Sequence, residues 1–231
     1  MRDTLERGLP ALGLGPELIE PLERFSRMLL EKNQVMNLTA ITDPRDVAAL
    51  HLLDSLALTG LAALEGKAVV DVGTGAGFPG IPLAIARPSA RVTLLDSLGK
   101  RVDFLEESCR ALGLENVTCV HGRAEEFAGE RRESFDLAVS RAVAALPALC
   151  ELCLPLVKVG GEFWAMKSVD TEEEISAAKA AIKLLGGQIR AVSDYTIPTT
   201  EVVHRVVCVK KVSPTPRKYP RRFALIKKQP L

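Results

Sequence analysis

Apolar positions change their period near residue 66, and the change divides the chain into two kinds of element. Before it the spacing is helical. Leu18, Leu22, Phe25 and Leu29 recur at intervals of four, three and four after Pro16, a residue suited to a first helical turn. A second helical pattern runs from Asp46 to about Thr59, and the polar stretch Asn33 to Thr39 reads as the connection between the two.

After Gly66, short apolar runs alternate with helical periods. Strands are predicted at Ala68 to Val72, Arg91 to Asp96, Asn116 to His121, Phe135 to Ser140 and Gly161 to Lys167, with two more near Gln188 to Ile197 and Val202 to Lys211. Helices fill the intervals. Ile81 to Ala86 begins one; Leu98, Val102, Leu105, Cys109 and Leu112 form a face that Gly113 stops; another runs through Leu146 to Leu154. Thr171-Glu172-Glu173-Glu174 has the form of a capping box ahead of Ile175, Ala178 and Ile182. This alternation predicts a doubly wound α/β core around a mostly parallel seven-stranded sheet. The expected divisions are an N-terminal helical lid over 1–65, the core over 66–211 and a tail over 212–231.

Of the 231 residues, 47% are hydrophobic and 26% charged, and the formal net charge is +1. That sum hides an asymmetry. Lys210 to Leu231 holds eight basic residues and no acidic one, which leaves the rest of the chain at −7. A basic arm of this kind suits a phosphate backbone, whereas the acidic body does not. The first residues alternate in charge without a leader-like apolar core, and the longest apolar stretch, Val47 to Leu64, is broken by His51, Asp54 and Gly60. No membrane span and a cytoplasmic location are expected. The five cysteines include Cys150 and Cys153 at half-site spacing, but no second pair completes a tetrahedron, so no metal is expected.

Asp71-Val72-Gly73-Thr74-Gly75-Ala76-Gly77-Phe78-Pro79-Gly80 follows the first strand and opens a helix. Glycines there let the backbone turn sharply and approach a ligand at the strand's carboxyl end. Gly75, Gly77 and Gly80 fit the dinucleotide pattern, and Asp96, ending the second strand, can accept from a ribose diol; both features serve NAD or S-adenosylmethionine alike. Asp71 separates the two, because an acid facing the ligand repels a pyrophosphate and attracts an ammonium group. No lysine follows the glycines as a nucleotide-triphosphate loop requires.

The run Val70 to Leu83, with Leu94-Leu95-Asp96-Ser97-Leu98-Gly99-Lys100-Arg101, resembles the bacterial ribosomal RNA small subunit methyltransferase G family, class I S-adenosylmethionine-dependent methyltransferases with a Rossmann-like sheet. Asn37-Leu38-Thr39, His51 to Ser55, Gly122 to Glu126, Ser140-Arg141-Ala142 and Met166-Lys167 resemble further family blocks in order. The resemblance implies methyl transfer from S-adenosylmethionine to N7 of one guanine in the decoding-region loop of 16S ribosomal RNA, guanine 527, on naked RNA or the small subunit. It also implies that Gly73 and Phe78 line the cofactor with Gly75, Gly77 and Ser97 nearby, that Ala124 and Glu125 meet its adenine, and that Arg141 stands between cofactor and substrate. A family arginine before the last core strand is matched here by either His204 or Arg205.

Guanine N7 carries a lone pair and no proton, so the residues to seek are positioning groups rather than a general base. Ser140 and Arg141, ending the fourth strand, are expected to meet the target base. Asn37, His51 and Asp54 are expected to join one polar network in the lid, the last two sharing a helix face. Lys167, Arg205 and the tail residues Arg217, Lys218, Tyr219, Arg221 and Arg222 are the expected RNA contacts. A monomer is expected.

Overall fold

The alternation of the sequence becomes β1 (Ala68–Val72), β2 (Arg91–Asp96), β3 (Val117–His121), β4 (Phe135–Arg141), β5 (Val157–Ser168), β6 (Gly187–Thr196) and β7 (Val203–Lys211). The computed structural model describes residues 1–141 and 143–231; Ala142 of the Ser140-Arg141-Ala142 block lies outside them. The strands form one sheet in the order β3-β2-β1-β4-β5-β7-β6. β1 to β5 run parallel, and β7 is antiparallel to both β5 and β6. The chain moves outward from β1 to β3 and then returns to β4 on the other side of β1. That reversal opens a crevice beyond the carboxyl ends of β1 and β4, where open α/β sheets bind ligands.

Alternate residues on each strand point to opposite faces, and the core divides accordingly. Val69, Leu94, Val139, Trp164 and Val206 belong to one buried cluster; Val70, Leu95, Ala138, Phe163 and Val207 belong to the other. The first face is covered by the helices Gly80–Ala86 and Gly99–Leu112 and by everything before β1, through Leu5, Leu9, Leu22, Phe25, Leu52 and Leu53. The second is covered by Ala124–Glu130, Leu146–Cys153 and Glu172–Leu184, with Tyr219 and Ile226 of the tail packed into it.

Three local expectations change. The helix Ile19–Met36 continues through the polar residues read as a connection, then stops at Asn37 in a left-handed conformation (φ 49°). Asn33 explains the continuation: its side-chain amide brackets Thr39, donating to the Thr39 carbonyl and accepting from the Thr39 amide, each at 2.9 Å. β5 starts at Val157 rather than Gly161, because a register shift against β4 between Phe135 and Leu137 lets the glycine pair bulge within the strand. The capping box at Thr171 does not form. The Thr171 hydroxyl donates to the Ser168 carbonyl, and the Glu174 carboxylate instead accepts from Lys167 and from the Leu146 amide.

Candidate functional site

A cavity of about 460 Å³ occupies the crevice. Gly73, Thr74, Gly75, Ala76 and Phe78 line it from the turn after β1, Asp96 and Ser97 from the end of β2, Arg101 from the helix that follows, Arg141 from the end of β4, and Leu38, Thr39 and His51 from the N-terminal segment. Gly73, Gly75 and Gly77 have φ of +71°, +61° and +100°, the region that L side chains rarely adopt. A Cβ at Gly75 would meet nothing nearer than the Gly73 carbonyl at 3.9 Å, so the space above this backbone is open to a ligand.

Asp71, expected to face that ligand, instead fastens the turn from beneath. It is wholly buried, and its Oδ2 accepts from the Thr74 hydroxyl at 2.7 Å and from the Gly80 amide at 2.8 Å. Gly80 permits this approach, since a Cβ there would lie 2.2 Å from Leu94 and 2.8 Å from the same carboxylate oxygen. Burial pushes the Asp71 pKa up to about 6 against the pull of those two hydrogen bonds and of Arg141. Asp96 does reach the cavity. One of its oxygens accepts from the Gly75 amide and the other from the Leu98 amide, both at 2.9 Å. Each oxygen keeps a further lone pair, enough for a ribose diol.

Arg141 joins the sheet to the N-terminal helices. Its guanidinium donates to Asp54 Oδ2 at 2.9 Å, to the Leu50 carbonyl at 3.1 Å and to His51 Nδ1 at 3.2 Å, and it lies 5.1 Å from the centroid of the Phe78 ring. With Nδ1 accepting from Arg141, Nε2 carries the imidazole proton and donates to the Thr39 hydroxyl at 2.7 Å. Burial, together with the adjacent Arg141 charge, pulls the His51 pKa down to about 4, so the ring is neutral at pH 7. The ring also stacks on Phe78 at 4.6 Å. His51 occupies a π-helical turn, Val47–Leu53, which continues directly into Asp54–Leu56 and brings both side chains to Arg141 as their spacing implies.

Asp54 is fully buried and accepts at its second oxygen from Tyr195 Oη at 2.7 Å and from His204 Nδ1 at 2.9 Å. Burial pushes its pKa up, but His204, Arg141 and Tyr195 outweigh that and hold it below the usual carboxylate range. Sequence reading missed Thr39, Tyr195 and His204 as members of this network. Tyr195 and His204 face each other across the β6–β7 register, a pairing that a hairpin alignment of the last two strands would have exposed. His204, rather than Arg205, therefore points to the site. Arg205 faces away and is held by Asp194 at 2.6 Å and by Glu172.

Other expectations give way similarly. Ser140 is fully buried and donates to the Val72 carbonyl at 2.8 Å, tying β4 to β1 instead of facing a base. Asn37 is exposed and serves as the left-handed end of its helix, while Thr39 takes its expected place beside His51. Lys167 is satisfied by the Ala144 carbonyl at 2.8 Å and Glu174 at 2.6 Å. Within the tail, Tyr219 is buried and Arg221 is locked onto the buried Glu151 at 2.6 Å, whereas Arg217, Lys218 and Arg222 are exposed. Ala124 and Glu125 line a second, smaller lobe beside Asp96 and Ser97.

The family model described as rRNA small subunit methyltransferase G matches residues 18–203. A protein named ribosomal RNA small subunit methyltransferase G from Alkaliphilus oremlandii is 47% identical over 239 aligned positions, covering 100% of this chain and 99% of that one. The chain belongs to the rRNA small subunit methyltransferase G family. A protein of the same name from Thermoanaerobacter sp. is 46% identical over 92% of this chain and 90% of its own. Among solved structures, M. jannaschii TYW2 in complex with AdoMet superposes with a TM-score of 0.54 at 18% identity, covering 65% of this chain and 71% of that one. The precorrin-6y C5,15-methyltransferase of Geobacter metallireducens gives 0.51 at 15%, over 68% and 87%. Both likenesses speak for the fold.

S-adenosylmethionine is the cofactor of this methyltransferase family. The crevice fits it: an open backbone cradle at Gly75, an acid at the end of β2 and a lobe with apolar walls beyond that acid. Among the described residues, no group of three or more His, Cys, Asp or Glu side chains could hold a metal ion, and no helix is long and apolar enough to cross a membrane.

Proposed function

We propose that this chain transfers the methyl group of S-adenosylmethionine to N7 of a guanine in 16S ribosomal RNA, at the position the family resemblance implies. One observation carries the choice of atom: among the described residues lining the large cavity, no side chain is free to act as a general base. His51 is engaged at both nitrogens with its pKa pulled to about 4, and the lone pairs that the Gly75 and Leu98 amides leave on Asp96 go to the cofactor's ribose in this reading. Ring N7 has no proton to lose, whereas amino, imino and hydroxyl targets do. The bound cofactor supplies a methyl already activated by its sulfonium charge.

The chain's own work is alignment. The glycine turn, with Phe78 behind it, and the Asp96 and Ser97 segment hold the cofactor, and Ala124 and Glu125 lie at its adenine. Arg141 uses three of its five N–H donors on described residues; the remainder suit guanine O6 or a carboxylate. Thr39, Asp54 and His51 keep the guanidinium aimed. The exposed cations Arg217, Lys218, Arg222, Lys227 and Lys228 track RNA phosphates, while Lys167, Arg205 and Arg221 act through their internal partners.

Incubation with labelled S-adenosylmethionine and unmethylated small-subunit RNA, followed by scission specific for N7-methylguanine, is expected to cut at one position. Labelled RNA that resists scission would overturn the choice of N7, and unlabelled RNA would overturn the substrate. Changing the five exposed tail cations to Gln should flatten the salt dependence of RNA binding, by about 0.7 log units for each phosphate that is no longer neutralised. An unchanged slope would place the RNA elsewhere.

A further inference from the structure

The smaller lobe measures about 130 Å³ and shares Gly73, Asp96, Ser97 and Val143 with the larger cavity, so the two make one cleft. Its walls include Val72, Leu95 and Leu152 of the core and one residue from far along the chain, Phe223. Apolar walls with acids at the margin suit a flat heteroaromatic ring, and because the lobe opens into the larger cavity the ring need not be enclosed within it. The charged end of an amino acid has no such preference. Phe223 is positioned by its neighbours: its amide donates to Glu125 Oε1 at 3.3 Å, the Arg123 guanidinium lies 5.6 Å from its ring centroid, Arg221 shortly before it grips Glu151, and Ile226 shortly after it is fully buried.

We propose that Phe223 of the C-terminal tail is a wall of the cofactor's base subsite, so that adenine contacts the tail directly and cofactor occupancy fixes the tail in place. The inference rests on the S-adenosylmethionine reading above and goes beyond it by making the tail part of the cofactor site. Glu125 is the shared element, one oxygen holding the Phe223 amide and the other left for the purine amino group. By linkage, RNA that engages the neighbouring cations in the docked arrangement strengthens cofactor binding, and cofactor strengthens RNA binding by the same factor.

Calorimetric titration of the full chain with S-adenosylhomocysteine and with adenosine tests the proposal. Phe223→Ala is expected to raise both dissociation constants about tenfold, with Phe223→Trp recovering most of the loss. Affinities within twofold of the unaltered chain would overturn it. A second measurement needs no variant: saturating S-adenosylhomocysteine should slow tryptic cleavage after Arg222 and Lys227 about tenfold, and cleavage indifferent to the ligand would also overturn it. An unaltered chain that fails to bind S-adenosylhomocysteine would instead overturn the cofactor reading itself, and this proposal with it.

Discussion

The helices before β1 and the tail after β7 both reach the cleft, yet they are fastened to the sheet in opposite ways. The N-terminal helices are held by area. Leu5, Leu9, Leu22, Phe25, Leu29, Leu52 and Leu53 are excluded from water in the same cluster as Phe78, Phe104 and Trp164. Burial of that kind has no direction and contributes about 25 cal/mol per Å² of apolar surface. The tail buries little beyond Tyr219 and Ile226 and depends on directed bonds. Arg132 donates to the carbonyl oxygens of Thr215 at 2.6 Å and Tyr219 at 2.9 Å, and Arg221 pairs with Glu151. One side of the cleft is thus a packed wall with a polar bolt centred on Asp54 and Arg141. The other is a strap that a few substitutions can release.

Removing the bolt gives the largest effect. Asp54→Ala leaves the Arg141 guanidinium, the Tyr195 hydroxyl and the His204 ring without their acceptor, and stripping one member from a buried charge pair costs about 3 to 5 kcal/mol. Urea unfolding is expected to show that loss, with methyl transfer reduced as Arg141 keeps only the Leu50 carbonyl and His51 to aim it. A loss below about 1 kcal/mol would mean that apolar area alone fixes the wall. Releasing the strap is expected to cost less. Arg221→Ala deprives the buried Glu151 of its guanidinium partner but leaves it the Arg221 backbone amide, so about 2 to 3 kcal/mol is expected. Tryptic cleavage at Lys218 should rise with it. Equal protection in variant and parent would show that Tyr219 and Ile226 suffice to hold the tail.

The same contrast explains what the sequence disclosed. Parallel strands buried on both faces read as unbroken apolar runs, so β1, β2 and β4 emerge almost residue by residue, and the glycine turn between β1 and its helix announces the crevice. Position at a strand's carboxyl end was legible as well. Direction was not: Ser140 and Arg141 are neighbours, yet alternation sends one hydroxyl into β1 and the other side chain into the cleft. Asp71 failed for a related reason, since a residue beside a ligand loop can serve the loop rather than the ligand. Asp54's partners Tyr195 and His204 lie 141 and 150 residues away, and only the antiparallel pairing of the last strands unites them. The charge sum misled until it was divided, and even then the tail commits Arg221 to an internal acid.

The smallest effect at neutral pH concerns the packed wall alone. His51 has a native pKa of about 4, below its ordinary value of 6.5, so between those values the unfolded chain binds a proton that the native protein refuses. Its contribution is full above pH 6.5 and is lost as pH falls toward 4. Asp71 acts in the opposite sense, because its native pKa of about 6 lies above the ordinary 3.8 and the native protein keeps a proton that the unfolded chain has released. Over the shared interval from about pH 4 to 6 the two nearly cancel, each carrying a slope approaching 1.4 kcal/mol per pH unit. His51→Gln keeps a neutral hydrogen-bonding side chain and removes one of the opposing slopes. Urea unfolding at a series of pH values should then show a variant-minus-parent difference that is flat above about pH 7. On acidification from 6.5 to 4 it should move steadily in the variant's favour, while every group common to both chains drops out of the subtraction. A difference that stays constant across that interval would mean that the imidazole protonates as readily in the native protein as in the unfolded chain, and that water in the cavity His51 lines offsets its burial and the adjacent Arg141 charge.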